Sequence, residues 1–157
     1  MTQFATSRDG TRIAYDVSGS GPLLLLVHGL GTERGVWHDA GHVERLSQSF
    51  TVAPLDLRGH GESDKPTSAD AYTADKLLDD ISTIADACGA ERFLNWGYSF
   101  GATIGLQVAA SSARLARAVI AGSYFGRHAD EEWLRQGIEQ AEAVIQAQEE
   151  GRLAEFA

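Results

Sequence analysis

NWGYSFGA (Asn95–Ala102) places a serine between two glycines, directly after the apolar stretch Arg92–Trp96. A serine nucleophile must stand clear of its own backbone and point into a cleft. A sharp turn from strand to helix achieves this at the cost of a strained serine. Bulky neighbours would collide in such a turn, which explains Gly97 and Gly101. The helix that follows aims its free N–H groups and positive dipole end at the site, where an oxyanion would develop. Gly105, one turn on, lets that helix sit close to the sheet. The competing reading is an ordinary tight turn in which Ser99 caps the helix.

A second stretch bears on the choice. LLLLVHGLG (Leu23–Gly31) puts His28 and Gly29 straight after a continuous apolar run, the pattern of a strand covered on both faces. Acyl transfer needs two N–H donors on the oxyanion. One comes from the residue after the nucleophile, here Phe100, and one from a loop after an earlier strand, where Leu30 stands. His28 reads as a histidine that fixes the loop rather than as a base.

Around these two motifs the chain alternates. TQFATS (2–7) and TRIAYDV (11–17) read as strands joined by an Asp-Gly turn. FTVAPL (50–55) reads as a buried strand, with Pro54 tolerable near its end. Val36–Ser47 reads as one helix. Thr73–Cys88 reads as an amphipathic helix with Leu77, Ile81, Ile84 and Ala85 on one face and Gly89 as its C-cap. Arg92–Trp96 and Ala116–Ala121 are strands, Ser99–Ser112 a helix between them, and Asp130–Glu150 a last helix. A hairpin followed by alternating strands and helices predicts an α/β fold, with a sheet that is parallel after its start.

The chain resembles the N-terminal part of an α/β-hydrolase-fold protein. VHGLG (27–31), Trp37, DLRGHGESD (56–64) and GYSFG (97–101) come in that superfamily's order and spacing, as far as about Tyr124. The resemblance implies a mostly parallel sheet with an antiparallel N-terminal hairpin, truncated before the last core strands. It divides the chain into a core portion, 1–125, and the start of a helical lid, 126–157. It implies Ser99 as nucleophile, the backbone N–H groups of Leu30 and Phe100 as oxyanion hole, and His28, Gly29, Gly97 and Gly101 as support. No cofactor is implied. Epoxide hydrolases and haloalkane dehalogenases of this fold carry aspartate at the position of Ser99, so the serine disfavours them.

The family's acid and histidine should both follow the serine. Downstream of Ser99 the only histidine is His128, too early for that role, and Gly122 and Ser123 stand where an acid would. A serine hydroxyl without a base is a poor nucleophile. The expectation is therefore a serine hydrolase acting on a small carboxylic ester or related acyl compound, incomplete and inactive as 157 residues alone. The alternative is a non-catalytic module that binds a small molecule or a protein partner. The isolated chain is also expected to associate, through the bare edge of its last strand or with a C-terminal half.

Other chemistry is less supported. HDAGH (38–42) resembles a zinc motif, but Gly41 weakens the helix and no third ligand is evident, so no metal is expected and a solvated helix face is the better reading. Arg58 and Asp56 read as a structural ion pair, and His60 as a remote substitute base. The formal net charge of −9, of which −6 falls in residues 130–157, disfavours nucleic acid and anionic membrane surfaces as partners. One cysteine, Cys88, excludes an intrachain disulfide. MTQFATSRDG lacks the apolar core of a signal peptide, and no apolar run approaches the length of a membrane span. A cytoplasmic setting is expected.

Overall fold

A computed structural model describes residues 1–122 of the chain. The helix expected over Asp130–Glu150, His128 and the lid region 126–157 lie outside the described residues.

The apolar runs become strands. β1 (Gln3–Thr6) and β2 (Arg12–Tyr15) form the antiparallel hairpin. Its loop closes with Ser7 N–H donating to Thr11 O at 2.9 Å and Gly10 N–H to Ser7 O at 2.9 Å. β3 (Leu23–Val27), β4 (Thr51–Leu55), β5 (Phe93–Tyr98) and β6 (Leu115–Ala121) run parallel to one another. The six strands lie in the order β1-β2-β4-β3-β5-β6, with β2 antiparallel to β4. The fold is thus α/β, mostly parallel with an antiparallel start.

β3 shows why a continuous apolar run was needed. Leu23, Leu25 and Val27 face one core cluster, with Ile81, Ile84, Phe93, Ile104 and Val108. Leu24 and Leu26 face the other, with Trp37, Val43 and Val52. All five residues of β3 are buried, because helices cover both faces. Helix α3 (Ala74–Ala87) and helix α4 (Phe100–Ser111) supply the first cluster. Pro54 is placed where a missing N–H costs little. Its carbonyl accepts from Asp16 N–H at 3.1 Å on the β2 side, where the ladder is reduced to the Tyr15–Leu55 pair.

Two expectations change. The helix read over Val36–Ser47 is two short ones, α1 (Gly35–Asp39) and α2 (His42–Leu46), because Gly41 between them takes a left-handed φ of 70°. β5 continues past Trp96 to Tyr98, since pairing with both β3 and β6 carries the ladder through Gly97. Within the described residues no helix is long and apolar enough to cross a membrane.

Candidate active site

Ser99 sits at the junction of β5 and α4 with φ 53° and ψ −115°, the one non-glycine residue of positive φ among those described. A capping serine would hold an extended backbone and accept a helix N–H through its Oγ. Ser99 does neither: its backbone is outside the extended region, and its side chain makes no capping hydrogen bond. The turn is held from outside. Ser99 N–H donates to Ala121 O at 2.9 Å, at the end of β6.

The flanking glycines are required by contact. A methyl group on Gly97 would strike the Gly101 carbonyl, and one on Gly101 would strike the Val27 carbonyl. Strand β5, the first turn of α4 and the end of β3 therefore meet backbone to backbone around the serine. The loop after β3 lies against it too, since a Cβ built on Gly29 would come within 3.2 Å of Ser99 Cβ. So the structure brings His28, Gly29, Gly97, Ser99, Phe100 and Gly101 together, with Leu30 following Gly29 and exposed. Among the described residues, neither Leu30 N–H nor Phe100 N–H donates a hydrogen bond.

His28 is fully buried and both its nitrogens are engaged. Leu57 N–H donates to Nε2 at 3.0 Å, so Nε2 is the acceptor and Nδ1 carries the proton. Nδ1–H then donates to Gly29 O at 2.7 Å. Thr32 Oγ1 donates to the same carbonyl at 3.0 Å. The imidazole is a neutral strut for the loop, with no lone pair left for catalysis. Burial lowers its pKa from the usual 6.5. The sign follows from linkage. The unfolded chain takes up a proton near pH 6.5 that the folded chain resists, so stability is present above that pH and declines as pH falls through it. We expect the melting temperature to fall between pH 7 and pH 5, and the slope to flatten in a His28→Gln variant. A slope unchanged by that substitution would assign the acid sensitivity elsewhere.

The other described histidines are dispersed. The His60 ring packs on His28 with centroids 5.1 Å apart, and its Nδ1 lies 3.2 Å from Arg58 O. No hydrogen bond joins His60 to Ser99 among the described residues. His38 and His42 fall on separate helices. His38 Nε2 lies 3.1 Å from Asp16 Oδ2, whereas the His42 ring packs between Trp37 and Trp96, at 5.7 and 5.0 Å. The solvated reading of HDAGH holds for His38 but not for His42, which is half-buried.

The ion pair expected between Arg58 and Asp56 does not form. The chain turns at Leu57, where His60 N–H donates to Leu57 O at 2.9 Å, so residues 56 and 58 leave in different directions. Buried Asp56 takes the Arg34 guanidinium, Arg34 N–H at 2.7 Å and Glu62 N–H at 2.9 Å. Arg58, equally buried, takes Asp80 at 2.7 Å and Asp9 at 2.7 Å. Sequence reading missed Arg34 and Asp80. Asp80 carried a signal: it falls on the apolar face of α3 with Leu77, Ile81 and Ile84.

Comparison with known proteins gives the same geometry a lineage. A family model described as the alpha/beta hydrolase fold matches residues 22–155. The chain is 37% identical over 112 residues to 2-(acetamidomethylene)succinate hydrolase of Mesorhizobium japonicum, covering 70% of this chain and 39% of that protein. It is 34% identical over 103 residues to mouse epoxide hydrolase 4, covering 64% and 28%. A solved structure of the bottromycin epimerase BotH matches with a TM-score of 0.71 at 35% identity, over 80% of this chain and 48% of that one. The chain spans well under half the length of the curated relatives it matches.

Proposed function

This chain belongs to the α/β-hydrolase fold family, and from that premise we propose that it carries the nucleophile and oxyanion hole of a serine hydrolase. The observation that carries the reading is the strained Ser99, uncapped and pressed against the Gly29 loop. Ser99 Oγ attacks the carbonyl carbon of an ester or related acyl compound. Its proton passes to a general base outside the described residues. The carbonyl oxygen, now carrying the charge, accepts the N–H groups of Leu30 and Phe100 at the positive end of α4. Collapse expels the alcohol and leaves an acyl group on Ser99, which water then releases.

A small acyl substrate is in keeping with the relative that hydrolyses a substituted succinate. Epoxide opening through a carboxylate nucleophile is disfavoured, even with an epoxide hydrolase among the relatives, because position 99 is serine. The lone thiol, Cys88, suits a cytoplasmic, reducing setting. Association through the edge of β6, whose residues 116–119 are exposed, is part of the same proposal.

A fluorophosphonate probe should add one label, mapped to Ser99 by mass spectrometry, once the general base is present. A label that persists in Ser99→Ala would sink the assignment. One observation favours a second reading, a binding module without catalysis: no described side chain hydrogen-bonds Ser99 Oγ. Complete failure to label in the protein with its base would favour that reading.

A further inference from the structure

We infer that Asp56 is a positioning residue for the oxyanion donor Leu30, acting through Arg34. The inference rests on the reading of Leu30 N–H as that donor.

The loop from His28 to Arg34 is pinned at both ends, and both pins land on one dipeptide. At its start, His28 Nε2 accepts Leu57 N–H at 3.0 Å. At its end, Arg34 gives its backbone N–H to Asp56 Oδ1 at 2.7 Å and its guanidinium to Asp56 Oδ2. Asp56 and Leu57 directly follow β4, which pairs in register with β3, Val27 opposite Leu55. The strand that launches the loop and the residues that anchor it are thus one hydrogen-bonded body.

Asp56 is fully buried, and its three donors fix its carboxylate without help from solvent. The same guanidinium reaches Asp16 at 3.1 Å and Thr2 at 2.8 Å, which holds the arginine in place. Between the pins, Leu30 and Gly31 are exposed and make no hydrogen bond among the described residues. Exposed backbone of that kind is mobile unless its ends are held. An oxyanion donor works only if it is already in place when charge develops. Asp56 does not touch the reacting atoms; it limits where Leu30 can be.

Asp56→Asn removes the charge and turns one oxygen into a donor facing the Arg34 guanidinium. Digestion with endoproteinase Glu-C reads the loop directly, through cleavage after Glu33. We expect that cleavage to be about tenfold faster in Asp56→Asn, the factor for roughly one charge-assisted hydrogen bond. Cleavage after Glu44, in α2, and after Glu91, before β5, should change less than about twofold, as expected for local opening. The double variant Asp56→Asn with Arg34→Gln leaves no buried unpaired charge and should give the same ranking. In the catalytically competent protein, kcat should fall about tenfold to a hundredfold with KM little changed, as for partial loss of one oxyanion donor.

Wild-type cleavage at Glu33 in a folded variant would overturn the proposal. So would faster cleavage at all three sites in both variants, which would make Asp56 a matter of global stability. Faster cleavage at Glu33 with unchanged kcat would also overturn it. Ser99→Ala, run in parallel, separates the two readings: turnover that survives it defeats the serine-hydrolase assignment, while the Glu-C comparison still decides whether Asp56 orders the loop.

Discussion

Ser99→Gly should stabilise the fold while abolishing its reactivity. At φ 53° and ψ −115° the serine Cβ occupies backbone space that L residues rarely adopt. Holding a residue there costs of order 1–3 kcal/mol, which glycine does not incur. The neighbours offer nothing to offset the loss of a hydroxyl, since Ser99 makes no capping hydrogen bond. Urea unfolding should therefore give Ser99→Gly a stability higher by about 1–2 kcal/mol. Ser99→Ala keeps the Cβ and should gain little. Both variants should lose turnover by roughly a million-fold in the competent protein, the scale on which removing a catalytic nucleophile acts. A helix-capping serine predicts a different pattern: glycine nearly neutral, alanine destabilising by about 1 kcal/mol, activity untouched. Stability falling in Ser99→Gly would remove the argument from strain.

The same contrast marks what could be read from the chain and what could not. β3 was legible because five consecutive apolar residues admit few alternatives to a strand covered on both faces. The elbow was legible because Gly97 and Gly101 flank the serine at positions where any side chain would meet backbone. The position of Leu30 followed from its place after β3. The break at Gly41 was visible as a weakness in the helix, but spacing alone did not say that the chain would adopt a left-handed turn there. The charged residues were the failure. Arg34 finds Asp56 and Arg58 finds Asp80, each 22 residues away, and nothing in local spacing selects those partners over Arg58 with Asp56. Pairing of that range is decided by which way the backbone leaves Leu57. Ser99's base was not legible because the one histidine that follows it here, His128, comes earlier than the resemblance places the family's histidine.

Asp80→Ala should be among the most destabilising single changes in the described core. Asp80 and the Arg58 guanidinium are both buried, joined by two bonds of 2.7 Å, from Nε and from Nη2. Ser7 Oγ donates to the same carboxylate. Arg58 also reaches the Ala71 carbonyl at 2.6 Å and Asp9 at 2.7 Å. One guanidinium thus ties the hairpin loop, the polar loop after β4 and helix α3 together. Removing Asp80 leaves that cation buried with only the exposed Asp9 to balance it. Breaking a buried pair from one side costs about 3–5 kcal/mol, a large share of the 5–15 kcal/mol that holds a domain folded. The pair itself need not be a strong net stabiliser, since burying it costs desolvation of both ions. Arg58→Met with Asp80→Leu should therefore lose much less than Asp80→Ala alone. Asp9 adds a pH dependence. The hydrogen bond from Arg58 holds its carboxyl well below the usual 3.8, so its contribution is present above that pH and is lost as pH falls further. Urea midpoints of the single and double variants at pH 7 decide the matter. If the double variant is as unstable as Asp80→Ala, the loss comes from the favourable contacts of the pair, not from an arginine stranded without its partner.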